Sequence, residues 1–178
     1  MPGFVIHLAA ANVYLEKNPQ EDPGEFIRGT IAPDCVPDKR VSHHSSPNYR
    51  RNGLTSLLEK VNLVECMPDF DIGTSFGRGY CYHLITDIEF YRFLANKDRT
   101  KFVNMKNTEL DGLLYHDYFA ITPFLKKKYN IIFPESIRDY DNGQTDRLFL
   151  IDRDETCKMI DRLGALDLRE YLSNYGII

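Results

Sequence analysis

The chain has 178 residues, 43% of them hydrophobic and 27% charged, with a formal net charge of −4. This predicts a single domain over residues 1–178 with a proper core, and the dispersed charge gives no strong nucleic-acid signal. Four cysteines without CxxC spacing argue against a disulfide framework and for a reduced, cytoplasmic protein, while the apolar start lacks the basic region of a signal peptide and no run reaches the ~18 apolar residues of a membrane span.

In chain order, Pro2 to about Lys17 reads as a helix, because Phe4, Leu8, Ala11 and Leu15 recur at helical spacing with His7 beside them. Asn18-Pro19 ends it, and 19–24 is a polar turn. Glu25 to Arg28 is a short helix that Gly29 stops, and Thr30 to Asp34 is a tight non-helical segment. Residues 35–50 form a polar loop, followed by a helix over Leu54 to Val61 and a turn over Pro68 to Asp71. The longest helix spans about Thr74 to Asn96. Lys97 to Lys106 is a connection. Another helix runs from Thr108 to Tyr129, kinked or divided at Pro123. The region 130–178 is the least legible, with Asn130 to Pro134 extended and a turn at Asp141-Asn142-Gly143. The tail carries helices over 153–163 and 168–174, separated by Gly164, and Asp167 and Glu170 fit a capping box. No strand alternation is present, and the fold class is all-α.

The long helix places Phe76, Tyr80, His83, Asp87, Phe90/Tyr91 and Leu94 on one stripe. Arg78, Glu89, Arg92 and Asn96 lie opposite, with Ile85 as the exception. His83 and Asp87, at i and i+4, therefore face inward about 5–6 Å apart. A buried aspartate needs a cation or hydrogen bonds. Candidates to share such a cation are His7, Asp34, and His43 or His44. Imidazoles and carboxylates without thiolate suit one or two zinc ions, or iron or manganese, in a hydrolytic site. Cys81 is expected to be a small buried hydrophobe. Each histidine also has a plainer account: His43-His44 as a solvated pair, His116-Asp117 as a surface pair, and Asp87 bonded to Tyr, Arg or backbone with no metal at all.

Four motifs stand in order: His7-Leu8-Ala9-Ala10-Ala11-Asn12, Arg28-Gly29-Thr30-Ile31-Ala32-Pro33-Asp34, Ser42-His43, and Gly79-Tyr80-Cys81-Tyr82-His83-Leu84-Ile85-Thr86-Asp87. Together they resemble the zinc-dependent phospholipase C family, whose all-helical fold is shared with single-strand-specific zinc nucleases. The resemblance covers residues 3–95, more faintly to 130. It implies that His7, Asp34, His43, His83 and Asp87 are metal ligands and that Asp34 is the base for the attacking water. It further implies a metal-dependent hydrolase of phosphoesters, chiefly phosphodiesters. The family's later histidine-to-glutamate helix pair is absent, because Ala120 follows His116 by four residues; Asp117 is a substitute carboxylate. The expected partner is a small anionic phosphoester. Lys39, Arg40, Arg50 and Arg51 stand near His43 as candidate phosphate contacts or a solvated loop, with Tyr49 and Tyr82 available for stacking or hydrogen bonding.

Two alternatives remain open. An HD-type phosphohydrolase would use His116-Asp117 with His43 or His83 and with Asp139 or Asp141. A non-catalytic binding protein would close four ligands around a structural ion, whereas a catalytic site leaves a position for water.

Overall fold

The computed structural model describes residues 3–45, 60–97, 105–131 and 147–178. Every regular element among them is helical: α1 (Phe4–Lys17), α2 (Pro23–Ile31), α3 (Lys39–His43), α4 (Leu63–Cys66), α5 (Ser75–Lys97), α6 (Asn107–Lys128), α7 (Arg153–Gly164) and α8 (Leu168–Asn174). Short 3₁₀ turns occupy Ala32–Cys35 and Met67–Asp69. The expected all-α class is thus observed. Most of the expected helix at Leu54 to Val61, the extended stretch after Ile131 and the Asp141 turn lie outside the described residues.

Capping explains where the expectations fall short. Asp22 caps α2 through its side chain and Pro23 opens it, so the helix begins before Glu25 and runs through Gly29 to Ile31. Gly29 does not terminate it. Asp38 accepts from the Arg40 N–H and starts α3 inside the expected loop. Asn62 does the same for α4, through the Glu65 N–H. Asp167 accepts from the Arg169 and Glu170 N–H groups, forming the expected cap of α8. α6 runs through Pro123 as one helix.

α1 and α5 form the centre. Residues Val5 to Ala11 are buried without a break, and so are Cys81 to Asp87. A helix buried all round is enclosed by neighbours rather than laid on a surface. The two-sided reading of α5 is therefore too simple, and Ile85 is fully buried in the core. α1 packs on α7, α2, α6 and α5, and α2 runs along α5.

Two glycines set the α2–α5 approach. A Cβ on Gly29 would stand 2.1 Å from the Phe76 carbonyl oxygen, and one on Gly79 would stand 2.0 Å from that of Phe26. The backbones touch because neither residue carries a side chain. This contact delivers the end of α2 to the middle of α5.

Candidate metal centre

Five side chains converge where α1, α3, α5 and the Ala32–Cys35 turn meet. His7 and His83 are fully buried, as is Asp87; His43 is 1% exposed and Asp34 9%. Asp87 lies at the middle. Its Oδ1 is 3.2 Å from His7 Nε2, and its Oδ2 is 3.2 Å from His43 Nε2 and 3.9 Å from His83 Nε2. Asp34 Oδ1 stands 4.0 Å from His43 Nε2. The rings of His7 and His83 stack at 3.9 Å, 8° from parallel.

The backbone fixes which nitrogen of each ring is bare. The Nδ1–H of His83 donates to the Thr30 carbonyl at 2.7 Å, across the glycine contact. The Nδ1–H of His43 donates to the Lys39 carbonyl one turn earlier at 2.8 Å. A carbonyl only accepts, so Nδ1 carries a proton in each ring, and in the neutral rings each Nε2 holds a lone pair. These two lone pairs face each other at 3.1 Å. Two acceptors so placed repel unless a cation or a proton lies between them.

A proton fits poorly. Burial first, and then neighbouring His7, lower His83 to about 3. For Asp87, burial alone would raise the pKa, but the surrounding His83, His43 and His7 outweigh it and hold the carboxylate well below its usual range. Both carboxylate oxygens of Asp87, both ring nitrogens of His7 and Asp34 Oδ1 lack an aligned hydrogen-bond partner among the described residues, although charged neighbours are close. The contacts are near in distance but wrong in direction for sharing protons.

A divalent ion fits better. Zn–N and Zn–O bonds near 2.0–2.1 Å in tetrahedral array put ligand atoms roughly 3.3 Å apart. The observed edges of 3.1, 3.2 and 3.9 Å bracket that spacing. Two groups can each hold an ion, His7 with His83 and Asp87, and Asp34 with His43 and His83, the atoms of each lying within 4.8 Å of one another. The donors are imidazole and carboxylate. The buried thiols of Cys66 and Cys81 are pushed by burial up to about 12 and stay protonated. Cys81 is the buried hydrophobe expected.

Local structure holds these side chains in place. Ser42 Oγ donates to the Pro33 carbonyl at 2.8 Å, tying α3 to the turn that carries Asp34. Tyr80 Oη donates to the Ser42 carbonyl at 3.0 Å. Lys39, part of the expected basic patch, places its ammonium 3.0 Å from Asp34 Oδ1.

Other expected site residues lie elsewhere. His44 is the left-handed cap of α3, at φ 45°, which turns its ring outward to Asp69 at 2.7 Å. Arg40 binds Asp38 through Nε at 2.8 Å. Tyr82 is a core residue whose hydroxyl donates to the Ala10 carbonyl at 3.0 Å, so it does not face a substrate. Asp117 accepts from the backbone N–H groups of Phe149, Leu150 and Ile151 at 2.9, 2.6 and 3.0 Å. That clamp uses its lone pairs and takes it away from the cluster. His116 sits edge-on to Phe149, 4.7 Å between ring centroids. Neither joins an ion-holding group among the described residues. Tyr49, Arg50, Arg51, Asp139 and Asp141 lie outside the described residues.

Two buried tyrosines, Tyr91 from the expected stripe of α5 and Tyr118 of α6, had been given no site role by the sequence reading. The hydroxyls of Tyr91 and Tyr118 are buried and lack a partner among the described residues. Tyr91 follows Asp87 by four positions, a spacing that places it on the same face of α5. No helix among the described residues is long and apolar enough to cross a membrane. No family model matches the chain, and neither a curated protein nor a solved structure matches it.

Proposed function

We propose that this chain is a metal-dependent phosphoester hydrolase, acting first on phosphodiesters and similar to zinc-dependent phospholipase C. The observation that carries the reading is the pair of bare Nε2 lone pairs of His43 and His83, 3.1 Å apart against the buried Asp87. A cation between these groups would relieve the repulsion of the lone pairs and neutralise the buried carboxylate. Zinc is the first choice for the donor set, with iron or manganese as substitutes.

A bound divalent ion would lower the pKa of a coordinated water toward ~7 and polarise a phosphoryl oxygen. His43 and His83 hold their Nε2 atoms toward the ion, with the carbonyls of Lys39 and Thr30 fixing both rings. Asp87 supplies a full negative charge between the three imidazoles. Asp34 is the most exposed carboxylate of the set and serves as the proton acceptor for the attacking water.

Burial favours a second reading. Three of the ligands have no solvent exposure, as in a closed structural site. The two readings separate in one experiment. The untagged protein is purified without chelator, and its metal content is measured beside His83→Ala and Asp87→Ala. Hydrolysis of bis(p-nitrophenyl) phosphate is followed in the same preparations. Near-stoichiometric metal lost in both variants, with hydrolysis lost alongside, is the expected result. Metal without hydrolysis of any phosphoester leaves the structural ion. No metal in the wild type, and none taken up on addition, ends both.

A further inference from the structure

A cavity of about 740 Å³ lies where the end of α1 meets the starts of α5 and α8, and none of the clustered imidazoles or carboxylates lines it. That volume suits a small organic molecule. The chain builds it by turning sharply after α1. The Asn18 N–H and side-chain amide both return to the Tyr14 carbonyl, at 2.7 and 3.2 Å. The Asp22 N–H then donates to Ser75 Oγ at 3.2 Å, which pins the turn to α5. Ile72, Leu168 and Leu172 give the cavity an apolar wall.

Arg78 also lines this cavity, half-buried although the sequence sets it on the outer stripe of α5. Its Nε donates to Gln20 Oε1, its Nη1 to the carbonyls of Ile72 and Gly73 at 3.3 and 2.9 Å, and its Nη2 to Ser75 Oγ at 3.2 Å. All four acceptors are neutral. The guanidinium is thus held rigid while its charge meets no carboxylate among the described residues. Lys17 and Arg169 line the same cavity and likewise form no ion pair among the described residues. The acidic side chain of the described lining is Asp167, whose Oδ1 already accepts the Arg169 and Glu170 N–H groups. Three cationic side chains therefore face one anionic one, and a cleft lined in this way focuses positive potential.

Tyr14 adds a donor. It lines the cavity and is 4% exposed, yet its hydroxyl makes no hydrogen bond among the described residues. Buried hydroxyls are nearly always bonded, so this one calls for an acceptor. Burial first, and then Asp167, raise its pKa, and the phenol keeps its proton. The ring is fixed from behind by Phe26, stacked at 5.3 Å between centroids.

We propose that this cavity binds a small organic dianion with an apolar body. Its charged groups meet Arg78, Lys17 and Arg169, one of its oxygens accepts from Tyr14, and its body lies on Ile72, Leu168 and Leu172. The excess of two positive side chains matches two negative charges, and a preformed guanidinium suits an oxyanion. Dicarboxylates and organic phosphonates share this chemistry. The site needs no ion at the histidine–aspartate cluster, so it stands or falls apart from the hydrolase reading.

The test titrates the full chain with phenylsuccinate and with phenylphosphonate by calorimetry at about pH 8, beside the neutral phenylsuccinamide. At least one dianion is expected to bind and the diamide to bind far more weakly; whichever dianion is preferred names the head group. Lys17→Gln and Arg169→Gln are each expected to weaken binding about threefold, and the double variant about tenfold. Both residues are exposed, so denaturation midpoints should stay level. Tyr14→Phe keeps the ring and is expected to weaken binding severalfold. A wild type that binds neither dianion at millimolar concentration would overturn the proposal. So would undiminished binding by the folded double variant, which would put the anion elsewhere, or equal binding of the diamide, which would remove the role of charge. Wild-type affinity in Tyr14→Phe would overturn the part given to the phenol.

Discussion

Gly29→Ala tests the link between the fold and the site. The added Cβ would stand 2.1 Å from the Phe76 carbonyl oxygen and 2.9 Å from the Tyr80 nitrogen, both backbone atoms of α5. Neither can swing aside as a side chain would, so relief requires α2 and α5 to separate by roughly 1 Å. Alanine gains about 1 kcal/mol over glycine in helix propensity, against an overpacking cost of about 1–3 kcal/mol or more. Separation also stretches the 2.7 Å bond from His83 Nδ1–H to the Thr30 carbonyl, the residue next to Gly29. Its loss removes about 1 kcal/mol and leaves a buried donor unpaired. The net expectation is a loss of about 2–3 kcal/mol by urea denaturation. Because that bond orients a ligand ring, zinc affinity should fall about 10–100-fold in a chelator competition. Gly112→Ala is the control: a Cβ there meets nothing within 4 Å, and α6 should gain about 0.5–1 kcal/mol. A Gly29→Ala protein as stable as the Gly112→Ala one, with wild-type zinc affinity, would refute the close contact and its coupling to His83.

Two further outcomes follow from the same geometry. Asp117→Ala should cost about 3 kcal/mol by leaving the N–H groups of Phe149, Leu150 and Ile151 without their acceptor, yet leave zinc content intact; loss of zinc in a still-folded variant would revive the HD-type reading. In chelator-treated protein, stability should be full above about pH 6.5 and decline as pH falls toward 3. His83 is lowered from 6.5 to about 3 on folding, so between those values the unfolded chain binds a proton that the folded chain does not. Asp87, held below its ordinary range, adds loss in the same direction at the acid end. Urea midpoints at pH 7, 5.5 and 4.5 check this, and a midpoint that rises on acidification contradicts the assignment of neutral, buried His83.

The long helices were legible because their signal is local and periodic. The spacing predicted about Thr74 to Asn96 where α5 spans Ser75–Lys97, and Thr108 to Tyr129 where α6 spans Asn107–Lys128. His83 and Asp87 followed directly, since i,i+4 spacing inside a buried helix leaves little freedom. The short α3 was hidden by a polar composition that reads as loop, although Asp38 carries its start signal. Asp34, and His43 or His44, were candidates by residue type, and likeness to a family chose His43; no local pattern placed them, because the contact that brings them to α5 depends on Gly29 meeting Phe76 across 46 intervening positions. Residue type alone could not tell His44 from its neighbour His43, and the left-handed cap turns the His44 ring away. Tyr82 looked like a site residue by chemistry and proved to be core by direction.

The placement of α1 has a consequence for how such a centre comes to exist. All five clustered side chains lie between His7 and Asp87, yet the helix that holds His7 is flanked by α7, and a Cβ on Gly164 would reach within 2.2 Å of Val13. The first half of the chain supplies the clustered imidazoles and carboxylates, and the second half excludes water around one of them. Contacts between segments so far apart in sequence form late in folding. An early-folding core of α2, α5 and the Asp34 turn would offer an ion an open, hydrated foothold of imidazole and carboxylate. Only docking of α7 on α1 would then seal it, making dehydration of the centre the final step of its assembly rather than the first.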